Sequence, residues 1–255
     1  MSSLSTTDES MKKNPIAAVA QLRATSDKYQ NLVDVATCAR NAKAKGASML
    51  FLPECFGFIG ESSAQTLQEA EDPQKMSLES FDSESPLSQS LKSIIHNTAD
   101  SSAAPPPVQS LMDGLRTIAK ESGLWISGGG MHVSGAPPDE KDTEARSDSY
   151  RVYNTHVVVD SNGALVESYR KIHLFDVSIP GKVELRESRT TAAGTELVAC
   201  DSPVGRLGIT TCYDLRFPEM YTELTQNMGA QVLLVPSAFT IPTGAAHWHT
   251  LLRGE

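Results

Sequence analysis

The sequence predicts an α/β protein on three observations. Short apolar runs of strand length alternate with stretches of helical spacing, beginning with a strand–helix–strand unit over residues 16–52. Apolar residues make up 40% and charged residues 21% of the 255-residue chain, a balance that excludes collagen-like, coiled-coil and wholly disordered architectures. Three residues able to do chemistry, Glu54, Lys171 and Cys212, each stand just past a strand-length run, at the sheet end where open α/β sheets bind ligands.

Residues 1–14 are polar and read as a disordered tail; they lack the apolar segment of a secretory signal, and Asp8 and Glu9 do not suit an organelle presequence. Residues 16–22 form the first strand. Ser26 and Asp27 are both N-cap candidates for a helix reaching residue 45, in which Leu32, Val33, Val35, Ala36, Ala39 and Ala42 have helical spacing. Gly46 stands where helices take a left-handed terminating residue. Residues 48–52 are a buried strand stopped by Pro53. This unit implies a sheet covered by helices.

Residues 72–107 are rich in Ser, Asp, Glu and Pro and read as a surface insertion with a helical piece near residues 87–96. An amphipathic helix over 108–122 ends at Gly123, and a strand at 124–127 runs into Gly128-Gly129-Gly130. Residues 135–149 read as a second polar insertion. Strands at 152–160 and 165–170 flank Ser161-Asn162-Gly163, a hairpin signal. Strands at 196–200 and 206–211 flank another turn. A helix over 217–228 carries Pro218 in its first turn, 231–235 is a buried strand stopped by Pro236, and a last helix starts at 245. One domain over 15–255 is expected. The final residues lie inside a helical pattern, so the fold is expected to be truncated at its C-terminus, with a sheet edge left open.

Charge and cysteines narrow the function. A net charge of −9, from 22 basic and 31 acidic residues, repels phosphate backbones and argues against a nucleic-acid partner. No apolar run approaches the roughly 18–20 residues of a membrane helix. Cys38, Cys55, Cys200 and Cys212 form no C-x-x-C pair, so free thiols in a reducing, cytoplasmic setting are expected. Gly128-Gly129-Gly130 is no phosphate loop, because Val133 stands where a third spaced glycine is needed. His247 and His249 do not share a helix face, so no metal and no cofactor are expected.

Three side chains remain for catalysis. Cys212 lies between a strand and a helix start, where backbone N–H groups favour a thiolate and can hold an oxyanion; a buried structural cysteine is the alternative. Glu54, between Pro53 and the apolar Cys55-Phe56-Gly57-Phe58, is a desolvated base or a capping, ion-paired carboxylate. Lys171 is a positioned cation or a snorkelling side chain. Together, a thiol, a carboxylate and an ammonium make a covalent hydrolase plausible.

Leu52-Pro53-Glu54, Tyr169-Arg170-Lys171-Ile172-His173-Leu174-Phe175-Asp176 and Cys212-Tyr213-Asp214-Leu215-Arg216-Phe217-Pro218-Glu219 resemble, in order and spacing, the three catalytic blocks of the nitrilase superfamily, the carbon–nitrogen hydrolases. The resemblance covers about residues 15–255. It implies a nitrilase-like α-β-β-α sandwich and a triad of Glu54 as proton acceptor, Lys171 as proton donor and oxyanion stabiliser, and Cys212 as nucleophile. Glu187 matches a second, supporting glutamate of the family. The run from Cys212 to Pro218 is similar to the amidase branch. Of two amidase groups, that acting on deaminated glutathione is the more similar at residues 236–239 and 243–248; the other comprises omega-amidases acting on 2-oxoglutaramate. The implied reaction turns a small-molecule amide into a carboxylate and ammonia through a thioester on Cys212, with the Tyr213 N–H assisting Lys171. Arg170 or Arg216 would meet a substrate carboxylate or serve a structural ion pair. A homodimer is implied by the family. His249 departs from the family's glutamate. A catalytically silent homologue is the rival expectation.

Overall fold

The computed structural model describes residues 14–77, 81–99, 103–136, 150–179 and 183–254. The tail at 1–13 and most of the second polar insertion, 137–149, lie outside them.

A helix connecting two strands brings them side by side in the same direction, and the N-terminal unit does so. Strand β1 (Ala17–Val19) pairs in parallel with β2 (Met49–Phe51) around α1 (Lys28–Ala44). Of the two candidate caps, Asp27 is the one used: its carboxylate accepts the Gln30 N–H at 2.9 Å. Next come α2 (Ser63–Gln68), a 3₁₀ turn (Pro73–Met76), α3 (Pro86–Ile95) and α4 (Leu111–Ser122). Helix α4 ends at Gly123, whose φ of +63° suits glycine.

Four strands follow: β3 (Trp125–Ser127), β4 (Met131–Ala136), β5 (Arg151–Val159) and β6 (Leu165–Arg170). Together with β9 (Thr191–Ala192) they complete the larger sheet, of order β1-β2-β3-β5-β4 with β6 and β9 also on β5. Strands β5 and β6 form the expected hairpin. The smaller sheet is β10 (Val198–Cys200), β11 (Leu207–Ile209) and β12 (Val232–Leu234). Between the sheets in sequence lies a hairpin of β7 (Asp176–Ile179) and β8 (Val183–Arg186). Helices α5 (Pro218–Thr222) and α6 (Ile241–Gly254) belong to the second half.

Alternation along strands sorts side chains into two cores. Leu50 and Ile126 face a layer of α1, α3 and α4 built on Leu32, Val35, Leu91, Leu115 and Ile118. Met49, Val158 and Tyr169 face Leu207, Ile209, Leu215 and Leu224 of the second half. The result is an α-β-β-α sandwich.

Three local expectations change. The stretch at 72–107 contributes to the core: Leu87, Leu91 and Ile95 of α3 are buried, and Ser88 bonds Thr117 of α4 at 2.9 Å. Its Ser-rich composition masks a helical apolar stripe. Strand β4 and the β7–β8 hairpin were not anticipated, because glycines beside β4 and charged residues in the hairpin dilute a period-two pattern. The helix expected at 217–228 is α5 followed by a wide π-type turn, Glu223–Asn227. Among the described residues no helix is long and apolar enough to cross a membrane.

Candidate active site

Glu54 leaves the end of β2 on a loop held from behind by the glycine run. A Cβ on Gly129 would collide with the carbonyl oxygens of Leu52 and Pro53, so only glycine lets the two loops touch. Cys55 then donates its N–H to Gly130 O at 3.0 Å. Glu54 is 7% exposed. Its Oε1 accepts from Asn154 Nδ2 at 2.8 Å and lies 3.3 Å from Lys171 Nζ; its Oε2 accepts the Ala238 N–H at 2.9 Å.

Lys171 follows β6 and is 2% exposed. Its backbone N–H donates to Asn154 O, and its Nζ meets Glu187 Oε1 and Oε2 at 3.1 and 3.0 Å. Glu187 is fixed in turn by the Phe175 N–H at 2.7 Å. Burial pushes the lysine towards neutrality, but Glu54 and Glu187 outweigh it and hold the ammonium above its usual range.

Cys212 lies past the end of β11, where Thr211 leads into a 3₁₀ turn, Cys212–Arg216. Its φ is +52°, a left-handed conformation uncommon outside glycine, and its N–H donates to Pro236 O at 2.9 Å. Burial, then the Glu54 charge, pushes the thiol up to about 12, against the opposing pull of Lys171. At neutral pH the resting group is a thiol that hydrogen-bonds Glu54.

Asp214 locks this turn to the lysine block. Fully buried, it accepts from Tyr169 Oη at 2.7 Å, the Thr211 N–H at 2.8 Å, the His173 N–H at 3.0 Å and His173 Nδ1 at 2.8 Å. The His173 ring stacks on Phe217, 3.5 Å between centroids.

All four expected site residues therefore line one cleft of about 390 Å³, with Phe175, Tyr213 and Phe239 as apolar walls. Arg216 lines it too. Arg170 does not: its guanidinium stacks on Tyr153 at 4.0 Å. Asn154, His132, Cys55 and Ala238 also line the cleft and were not anticipated. The only sequence signal for Asn154 was an amide inside a strand of β-formers, which demands a buried partner.

Fold and cleft define a class: a two-sheet α/β sandwich that brings a thiol, a carboxylate and an ammonium together at its sheet ends. The chain belongs to the carbon–nitrogen hydrolase family, whose model matches residues 16–255. It is 37% identical to deaminated glutathione amidase of Dictyostelium discoideum over 246 residues, which is 96% of this chain and 71% of that protein. Against the human deaminated glutathione amidase identity is again 37%, over 94% of this chain but 61% of the relative's length. Mouse omega-amidase NIT2 is 31% identical over 93% of this chain and 68% of its own. Among solved structures, the C. elegans NitFhit protein superposes with a TM-score of 0.66 at 35% identity, covering 93% of this chain and 47% of that one. Saccharomyces cerevisiae Nit3 gives 0.63 at 26% identity, covering 93% and 69%.

Proposed function

We propose that the protein is an amidase that hydrolyses deaminated glutathione through a thioester on Cys212. The observation that carries this is the Glu54–Lys171–Glu187–Cys212 cluster in one buried cleft. A thiol pushed up to about 12 cannot wait as a thiolate, so a base must take its proton as it attacks. Glu54 is hydrogen-bonded to it. The sulfur adds to the amide carbon, and the carbonyl oxygen gains negative charge beside the Lys171 ammonium, with the Tyr213 N–H as a second donor. Protonated Glu54 gives its proton to the leaving nitrogen as the C–N bond breaks. Water then adds to the thioester, Glu54 takes its proton, and the C–S bond breaks to release a carboxylate.

Greater similarity to deaminated glutathione amidases than to the omega-amidase supports the substrate. The two substrates share a 2-oxoglutaryl acyl group and differ only in the leaving nitrogen. From 2-oxoglutaramate, a primary amide, ammonia leaves. From deaminated glutathione the amine of cysteinylglycine leaves, and the ammonia first expected is not released. The choice is therefore a matter of room beyond the scissile bond. Ser63, Leu185, Phe239, Thr240 and Thr243 extend the cleft beyond the reacting groups, which favours the larger leaving group. Arg216 and Arg186 both line the cleft, and Arg216 is the one we assign to a substrate carboxylate, since Arg186 is paired with Glu184. Free thiols at all four cysteines fit a cytoplasmic setting.

The test compares kcat/KM for both amides and identifies the products. A larger value for deaminated glutathione, with cysteinylglycine released and activity absent from Cys212→Ala, is expected. A larger value for 2-oxoglutaramate makes the protein an omega-amidase. Folded protein that turns over neither is a silent homologue.

A further inference from the structure

The mechanism above gives Asn154 no task, yet this residue touches both halves of the larger sheet's contribution. It lies in the middle of β5 and is 2% exposed. Its side chain donates to Glu54 Oε1, from the end of β2, while its backbone carbonyl accepts from Lys171, past the end of β6. Its Oδ1 is buried without a hydrogen-bond partner among the described residues and lies 2.7 Å from where a Cβ on Gly130 would be. Glycine at 130 makes that space. Turning the amide over would set Oδ1 against Oε1, two acceptors in contact, so the donor faces the carboxylate.

The two oxygens of Glu54 therefore differ. Oε1 is occupied by Asn154 Nδ2 and Lys171 Nζ. Oε2 accepts the Ala238 N–H, and that same N–H also favours the Cys212 thiolate, so one backbone donor faces both the carboxylate and the sulfur. We infer that Asn154 is a positioning residue that fills Glu54 Oε1 with a neutral donor and so leaves Oε2 as the oxygen that takes the Cys212 proton. This rests on Glu54 acting as the base. Neutrality matters: a second cation on Oε1 would weaken the base, and an acceptor would force a proton onto the pair. The other titratable groups that sense Glu54 are Lys171, Cys212, Cys55, His132 and His156; a charge at position 154 also reaches Lys171 and His132, which is why the uncharged Asn154→Ala is measured beside it.

The experiment follows alkylation of Cys212 by iodoacetamide against pH, read on the Cys212 peptide by mass spectrometry, beside turnover of deaminated glutathione. Asn154→Asp is isosteric and sets a carboxylate against Oε1. Its acidic limb should move up by about one pH unit or more, because facing carboxylates share one proton. Its kcat at pH 7 should fall about tenfold or more with KM within about threefold. Asn154→Ala, which removes the donor and adds no charge, should move the limb the same way by a smaller amount. A folded Asn154→Asp enzyme with the parent's limb and kcat within about twofold overturns the inference; if that variant does not fold, an unmoved limb in Asn154→Ala does so. Absence of amide turnover in the parent, or its persistence in Cys212→Ala, defeats the functional proposal instead, while the alkylation limb still decides the role of Asn154.

Discussion

The two sheets contribute to the cleft from unlike foundations. The larger one presents Glu54, Asn154 and Lys171 from strands backed by α1, α3 and α4, and α4 is buried along most of its length. The smaller one presents Cys212 after a three-residue strand, and α6, in the same half, buries no residue completely. Polar ties cross between the halves: Tyr169 to Asp214, His156 to Thr210 O at 3.0 Å, and Ala238 to Glu54. Cys212 is thus aimed as much by hydrogen bonds from the opposite sheet as by packing in its own layer.

Removing the proposed nucleophile, Cys212, has the largest expected effect. Cys212→Ala should lower kcat by about 10⁴-fold or more and leave the urea midpoint near the parent's, since a small thiol is lost from a left-handed turn. Cutting a tie comes next. Asp214→Asn keeps the volume but turns one acceptor into a donor facing Tyr169 or His173. Steady-state kinetics should show kcat down about 10²-fold, because the Cys212 turn is no longer registered to Lys171. Urea unfolding should show a loss of about 2 kcal/mol. Unchanged kcat in that variant would mean that the smaller sheet places Cys212 unaided.

The His156 tie is sensitive to acid. Nδ1 must carry the proton to bond Thr210 O, so Nε2 accepts from Ser127 Oγ at 2.7 Å and the ring is neutral. Burial lowers the folded imidazole to about 4, below its ordinary 6.5. Between those values the unfolded chain binds the extra proton. Stability is therefore fully present above about 6.5 and is lost as pH falls towards 4, by about 3 kcal/mol in all. Urea midpoints measured from pH 7 to 4 should fall less steeply for His156→Gln than for the parent. The smallest contrast lies in the helix layers: Leu115→Ala in α4 should cost about 3 kcal/mol, and Leu252→Ala in half-exposed α6 under about 1 kcal/mol.

What the sequence revealed follows the same division. Strands ended by Pro53 and Pro236, and the helix ended by Gly123, were legible because proline and glycine act locally. The candidate catalytic blocks were legible because each charged or nucleophilic residue stands just past a strand-length run and the three blocks keep the family's order and spacing. Asn154 and Ala238 were not, since their roles depend on partners 100 and 184 residues away in the chain. Asp214 was quoted within a motif, but its four hydrogen bonds exist only once the sheets are stacked. Helix α3 was legible as a helical piece, but its place in the core was not, because the surrounding Ser, Asp, Glu and Pro read as a surface insertion.

Gly129 has a consequence for evolution and for engineering. It makes no contact with the thiol, yet any side chain there would strike the two carbonyls that carry the Glu54 loop. A saturation library selected for turnover should therefore return glycine alone at this position. The sites at which this protein cannot drift extend behind its cleft into bare backbone, where a search restricted to reactive groups would not look.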